Sequence, residues 1–163
     1  MSRKPDDDRD DFQQWVQPLL EQAAGYAYSI VGNHADAEDA VQEALWKAYR
    51  GLHSYDRARP FKGWWFAIVR NCCLDLCQQR RTRPRTVPIE HAHQVAARAA
   101  KAAEPFREAL AQLTPLLREI LQLRYFGGCS YRDLAEALAI PEGTVMSRLY
   151  AARQALAAVY GKD

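Results

Sequence analysis

The sequence predicts an all-α protein of two small helical domains joined by a flexible linker, the second domain containing a helix-turn-helix. Helix-favouring alanine and arginine are plentiful, whereas β-branched runs are scarce and glycine and proline number only 8 each. Apolar residues recur at helical spacing and stop at glycine, asparagine or proline. A polar, alanine-rich stretch with two prolines at residues 83–103 predicts the linker between domains at 12–82 and 104–163.

Three helices are expected in the first domain. Residues 1–11 lack apolar anchors and are predicted to form a disordered acidic tail. The first helix is expected at 12–31, with Pro18 in its first turns or at a bend. The second, at 36–50, has a clear amphipathic stripe, and a third follows at 61–81. One face of this third helix carries Phe61, Trp65, Ile68, Cys72 and Leu76, and the opposite side carries Phe66, Arg70, Cys73 and Cys77.

The second domain is predicted to contain four helices, the last two in a characteristic arrangement. Pro115 follows a Thr cap, Gly127 and Gly128 end a helix, and Ser130 begins a pattern typical of a capping box. The helices SYRDLAEAL and TVMSRLYAARQAL flank the turn AIPEG, which predicts a helix-turn-helix whose second helix enters the DNA major groove. The helical pattern alone leaves an ordinary αα-hairpin open. The residues expected to pack the two helices together are Leu134, Ala135, Leu138, Ile140, Val145 and Leu149.

The distribution of charge along the chain is more informative than the net charge of +2. Residues 57–85 carry eight basic side chains and one acidic one, whereas residues 19–50 carry five acids and two bases. The first stretch suits phosphates and the second suits a basic partner, although two solvated helix faces would give the same pattern.

No apolar run approaches the roughly 20 residues that span a bilayer, so no membrane insertion is expected. The start MSRKPDDDRDD differs from a signal peptide, which predicts a cytoplasmic protein with four reduced cysteines. No phosphate loop, nucleophile elbow or metal motif is present, so neither an enzyme nor a cofactor is predicted.

Three segments together resemble the extracytoplasmic-function (ECF) branch of the sigma-70 family. LTPLLREILQLRYFGGCSYRDLAEALAIPEGTVMSRLYAARQAL resembles region 4, DAEDAVQEALWKAYR resembles region 2.2, and FKGWWFAIVRNCCLDLCQQRR resembles regions 2.3 to 2.4. They cover most of the chain in the family's order and spacing. The resemblance implies a non-catalytic RNA polymerase sigma factor, which binds core polymerase, recognises the −35 and −10 promoter elements and promotes DNA melting for transcription initiation.

The resemblance also implies which helix docks on the polymerase. The 36–50 helix is expected to bind the β′ clamp helices, and its acceptor groups suit Arg and Lys donors. The candidate residues are Asp39, Gln42, Glu43 and Trp46. Further partners implied by the resemblance are the β flap, promoter DNA and an anti-sigma factor.

The segment around residue 60 interleaves aromatic and basic side chains. Flipping a base out of the stack costs a few kcal/mol, and an aromatic platform returns about 1–3 kcal/mol per stacked base. By resemblance, the candidate −10 residues are Tyr55, Arg57, Phe61, Lys62, Trp64, Arg70 and Asn71. Core packing is the alternative for Phe61 and Trp64, and it is the favoured role for Trp65.

The start of the last helix is the candidate −35 surface. Its residues are Gly143, Thr144, Met146, Ser147, Arg148, Tyr150 and Arg153. Met146 and Ala151 stand where many relatives carry a basic residue. Fewer cations predict a weaker or unusual −35 preference.

Three other functions are compatible with parts of the sequence. Cys73, Cys77, His91 and His93 could form a zinc site, but no CxxC pair is present. A redox switch at Cys73 or Cys77, whose side chains are expected to point towards solvent, has similarly little support in the sequence. The serious alternative is a free-standing helix-turn-helix regulator that binds duplex DNA. Such a protein needs neither the acidic 36–50 helix nor the aromatic and basic segment after it.

Overall fold

The computed structural model describes residues 5–82 and 104–161, and all regular structure within these ranges is helical, as the sequence predicts. The first module contains α1 (Pro5–Val16), a 3₁₀ turn (Gln17–Leu19), α2 (Leu20–Val31), α3 (His34–Gly51), a second 3₁₀ turn (Leu52–Ser54) and α4 (Phe61–Thr82). The second contains α5 (104–111), α6 (Pro115–Tyr125), α7 (Tyr131–Leu138) and α8 (Glu142–Tyr160). The predicted linker at 83–103 lies outside the described residues. Among the described helices, none combines the length and apolar character that crossing a membrane requires.

The first helix begins earlier than the sequence predicts. Residues 5–11 were expected to be disordered, but α1 starts at Pro5. Proline is favoured at the first helical position, and acidic side chains are favourable near a helix N-terminus. Asp8 and Asp11 also pair with Arg57, at 3.3 and 3.0 Å. The prediction of disorder is therefore wrong for residues 5–11, because this partner is distant in sequence; residues 1–4 lie outside the described residues.

Single residues with known turn and capping preferences mark the ends of α1, α2 and α3. Pro18 lies in the 3₁₀ turn between α1 and α2, so the helix predicted at 12–31 is divided into two. Gly32 adopts a left-handed conformation (φ 85°) after α2. The Asn33 side chain then caps α3 by accepting a hydrogen bond from the backbone N–H of Asp36 at 2.9 Å.

Small residues allow the helices of the first module to pack closely. The buried face of α3 is lined by Ala37, Ala40, Ala44 and Ala48, each at most 3% exposed. This face packs against α2 and α4. Trp65 of α4 is fully buried, as its core assignment predicts.

Helix α4 is buried on two sides rather than one. Phe66 and Cys73, which the sequence places away from the main stripe, are fully buried. Both lie near Tyr26 of α2, whose ring centroid is 5.5 Å from that of Phe66, and Phe66 also lies beside Gly127 of the second module. In addition, α7 packs along α4 and α6 contacts α2. One continuous hydrophobic core therefore extends from the first module into the second.

The helix-turn-helix forms as predicted. Ser130 and Asp133 make a reciprocal capping box at the start of α7. Ala139 ends α7 in a left-handed conformation (φ 52°), which turns the chain towards α8. Leu134, Val145 and Leu149 are buried between the helices.

Candidate nucleic-acid interface and protein-docking face

The candidate docking residues share the exposed face of α3. Asp39, Gln42 and Glu43 are exposed, and Trp46 is 57% exposed. Glu43 pairs with Lys47 one helical turn later at 3.7 Å, in the solvated geometry of a weak ion pair. A shallow cleft of about 300 Å³ separates this edge of α3 from α4. The face thus presents acceptors and an aromatic ring that the fold itself does not require.

Aromatic side chains cluster where the loop before α4 joins the helix. The Trp64 ring centroid lies 4.7 Å from that of Tyr55 and 5.6 Å from that of Phe61. Trp15 of α1 extends the cluster, at 5.3 Å from Phe61. The Tyr55 hydroxyl donates a hydrogen bond to the carbonyl oxygen of Arg59 at 2.5 Å, and burial of the ring raises the pKa of Tyr55. A cleft of about 430 Å³ opens beside these rings.

The three candidate −10 cations each have an acceptor within the chain. Arg57 bridges the carboxylates of α1 and lies over the Trp15 ring, 4.8 Å from its centroid. Lys62 donates hydrogen bonds to Gln22 Oε1 at 3.0 Å and to the Gly128 carbonyl oxygen at 2.7 Å.

Arg70 reaches across to the second module. Its guanidinium pairs with Glu119 of α6, and it also donates a hydrogen bond to Asn71 Oδ1 at 3.3 Å. The Asn71 side chain is otherwise exposed beside it.

Sequence patterns did not identify Trp15, Glu119 or Glu136 as members of this region, whereas Arg59 is one of the basic residues of the segment around residue 60. Arg59 pairs with Glu136 of α7, and the hydrogen bond raises the pKa of the fully exposed Arg59 guanidinium. These contacts join residues far apart in the chain, so no local spacing signals them. Only the apolar character of Trp15 was visible, and it suggested a core position.

The candidate −35 residues lie along α8. Gly143, Ser147 and Arg153 are exposed, Met146 is 60% and Tyr150 67% exposed, and Thr144 and Arg148 are half-buried. Arg153 donates a hydrogen bond to the Tyr125 hydroxyl at 3.4 Å, which raises its pKa, with a further contribution from Tyr131. Since Val145 and Leu149 face the core, the helix offers its other side to a partner.

The cysteines are more protected than expected. Cys73 is fully buried, so its predicted lean towards solvent is wrong; its side chain lies near Tyr26 of α2, within the hydrophobic core. Burial raises the pKa of Cys73 and of Cys129 to about 12. Cys77 is half-buried, with a pKa also raised by burial. His91 and His93 lie outside the described residues, and within those residues no cluster of three His, Cys, Asp or Glu side chains could hold a metal.

The geometry defines a class of protein: a two-module helical chain with an acidic docking face, an aromatic and basic surface, and a helix-turn-helix. Two family models match it. Residues 15–83 match Sigma-70 region 2 and residues 103–156 match Sigma-70, region 4.

Curated relatives and solved structures agree with these matches. The ECF RNA polymerase sigma factor SigL of Mycobacterium tuberculosis (strain ATCC 25618 / H37Rv) is 36% identical over 140 residues, covering 80% of this chain and 78% of SigL. SigW of Bacillus subtilis (strain 168) is 26% identical, covering 91% and 88%. The sigma factor RpoE from Bartonella quintana, solved with the anti-sigma factor NepR, superposes with a TM-score of 0.70 at 28% identity, covering 94% and 98% of the two chains. CnrH, solved with the cytosolic domain of CnrY, gives a TM-score of 0.74 at 28% identity, covering 95% and 90%.

The chain belongs to the ECF sigma factors of the sigma-70 family. Its function is therefore that of an RNA polymerase sigma factor in transcription initiation, with core polymerase and promoter DNA as partners.

Proposed function

We propose that three surfaces divide the work of this sigma factor. The α3 face binds core polymerase, the start of α4 with its preceding loop binds the −10 element, and the start of α8 binds the −35 element. The observation that carries this assignment is their placement on three different elements, each with the chemistry that its ligand requires.

The docking surface consists of Asp39, Gln42, Glu43 and Trp46. Carboxylate and amide acceptors on an exposed helix face suit Arg and Lys donors on the β′ clamp helices. The exposed Trp46 ring adds apolar area of the kind that is enriched at protein interfaces. Contacts with the β flap belong to the second module.

The −10 surface combines Tyr55, Phe61 and Trp64 with four further residues. The rings offer stacking platforms for an unpaired base beside the cleft before α4. The polar members supply contacts to phosphate and base edges, and they are Arg57, Lys62, Arg70 and Asn71.

The −35 surface follows the solvent-facing side of α8. Its first turns present the backbone of Gly143 and the side chains of Thr144 and Ser147 to duplex DNA. The remaining members are Met146, Arg148, Tyr150 and Arg153. Because two of the seven carry a full charge, we propose a weak or unusual −35 preference.

Three further properties belong to the proposal. The chain acts as a non-catalytic subunit, and it works in the cytoplasm, where bacterial RNA polymerase transcribes. An anti-sigma factor is the proposed regulator, supported by the structural neighbour RpoE, which was solved with NepR.

Run-off transcription with purified core polymerase tests the proposal, on promoters found by mapping transcript starts after overproduction of the chain. The expected result is a specific transcript with the chain and none with core alone. A duplex-binding regulator would instead bind its operator tightly and specifically without polymerase. Operator binding with no transcript would contradict the assignment.

A further inference from the structure

Helix α1 lies against the loop that the proposed function assigns to the −10 element. This loop, residues 55–60, connects the second 3₁₀ turn to α4. Arg57 of the loop pairs with Asp8 and Asp11 of α1, at 3.3 and 3.0 Å. The match to Sigma-70 region 2 begins only at residue 15. Both carboxylates therefore precede the segment that the family model covers.

Aromatic rings join α1 to the same loop and to the start of α4. The Trp15 ring packs edge-on against that of Tyr55, with centroids 6.3 Å apart, and lies 5.3 Å from that of Phe61. The Arg57 guanidinium lies over the Trp15 ring, 4.8 Å from its centroid. One turn earlier in α1, the buried Phe12 ring is 6.3 Å from that of Phe61. Rings as well as charges thus attach the loop to α1.

Hydrogen bonds within the loop define a tight turn. The Asp56 carboxylate accepts from the Ala58 N–H at 2.9 Å, and the Asp56 carbonyl oxygen accepts from the Arg59 N–H at 3.0 Å. These local bonds fix the shape of the turn but not its position on the module. Arg132 of α7 donates to the Ala58 carbonyl oxygen at 3.2 Å, whereas the charged contacts of Arg57 come from α1.

The cleft of about 430 Å³ beside the loop is lined in part by the N-terminal segment. Trp15 of α1 and Leu19 of the following 3₁₀ turn line it together with Tyr55, Arg57 and Phe61. The width of the cleft therefore depends on where α1 holds the loop. A site whose walls are fixed before binding loses less free energy to ordering when its ligand enters.

We propose that α1 is a positioning element for −10 recognition: Asp8 and Asp11 hold the loop through Arg57, and Trp15 forms a wall of the cleft that receives a base. This inference rests on the proposed function, because it concerns base selection at the same −10 surface. The Arg57 side chain remains 42% exposed, so it can face DNA while α1 holds it. Loosening the loop weakens binding of the correct base more than that of a wrong base, because only the correct base uses all the preformed contacts.

The test compares two doubly substituted full-length chains that lose the same charge. Asp8→Asn/Asp11→Asn removes the carboxylates that pair with Arg57, whereas Asp10→Asn/Glu21→Gln neutralises two exposed carboxylates of α1 and α2. Each chain is assembled with core polymerase, and heparin-resistant complexes are measured on a mapped promoter and on versions with each −10 base changed. Limited trypsin cleavage after Arg57 in the free chain measures the mobility of the loop, and thermal melting verifies folding.

Asp8→Asn/Asp11→Asn should reduce the preference for the native −10 base at least about threefold relative to the wild type and to the control, with faster cleavage after Arg57. Affinity for core polymerase should stay the same, since α3 is unaltered. In an Arg57→Gln background, the two α1 substitutions should have no further effect on base preference, because the pair is already lost. An equally strong effect in that background would contradict action through Arg57.

Trp15→Leu provides a second variant, since it removes the ring but keeps an apolar side chain. Its control is Tyr160→Leu, which removes an exposed ring at the end of α8. Trp15→Leu should lower the base preference by a similar factor, and Tyr160→Leu should not. If both folded α1 variants kept the base preference of their controls, α1 would have no positioning role. A wild-type holoenzyme without a run-off transcript or a −10 base preference would overturn the proposed function as well, whereas a normal wild-type preference confines the failure to α1.

Discussion

Trp64 lies half-buried between Tyr55 and Phe61, so it can both stabilise the loop and stack on a base. We expect Trp64→Ala to reduce heparin-resistant promoter complexes by roughly tenfold or more, since one stacked base is worth about 1–3 kcal/mol. Affinity for core polymerase should stay unchanged. Tyr160→Ala, which removes an exposed ring at the end of α8, is the matched control. Equal complex formation by both variants would contradict a stacking role.

The buried thiols give the protein a pH-dependent stability. Burial raises the pKa of Cys73 and Cys129 from an ordinary value near 9 to about 12. Above about pH 9 the unfolded chain loses these protons first, so the free energy of unfolding should fall as pH rises from 9 towards 12, by up to about 1.4 kcal/mol per pH unit for each thiol. Urea unfolding at several pH values measures this slope. Cys73→Ala should flatten it, and an unchanged slope would contradict the assignment.

At the level of elements, α8 tests how charge sets duplex affinity. Met146 is exposed on the proposed −35 surface without contributing a cation. Met146→Lys should tighten duplex binding and steepen the dependence of log affinity on log salt by about one. Ala158→Lys adds the same charge at an exposed position near the far end of the helix. If the two variants gave the same salt dependence, Met146 would not face DNA.

Helix α7 depends on its cap because it is only 8 residues long. Ser130 accepts from the Asp133 N–H at 3.1 Å, and Asp133 accepts from the Ser130 N–H at 2.9 Å. Ser130→Ala should lower the free energy of unfolding by about 1 kcal/mol, measured by urea denaturation. Ser147→Ala, on the solvent side of α8, should change it much less.

Local patterns predicted the helices and failed at contacts between them. The stripe of α3 and the capping box of Ser130 were visible because their signals lie within one turn or one helical face. Gly127 of the second module lies beside Phe66, and the second buried face of α4, with Phe66 and Cys73, depends on Tyr26, which lies in a different helix. Periodicity within α4 could not reveal that partner.

The candidate site residues show the same contrast between local signals and contacts between distant segments. Tyr55, Phe61 and Lys62 were assigned because the segment itself mixes aromatic and basic residues. The acceptor Glu119, by contrast, lies in a different module from Arg70. The sequence gave no sign that Glu119 pairs with Arg70, because a charged residue on a helix is usually solvated.

On the scale of the whole molecule, one hydrophobic core joins the two modules. The core includes Tyr26 and Phe66 of the first module and Leu123 and Cys129 of the second. Separating the two modules would expose this apolar area to water, so its burial stabilises the packed arrangement.

The proposal that core polymerase docks on the exposed face of α3 is tested most directly by the affinity of Glu43→Lys for purified core polymerase. Glu43 is exposed, and its ion pair with Lys47 of the same helix is weak, so charge reversal should leave the fold intact. We expect Glu43→Lys to bind core polymerase at least about tenfold more weakly than the wild type and Glu21→Lys do, because the acceptor becomes a repelling cation. Equal affinity of all three chains for core polymerase would contradict it.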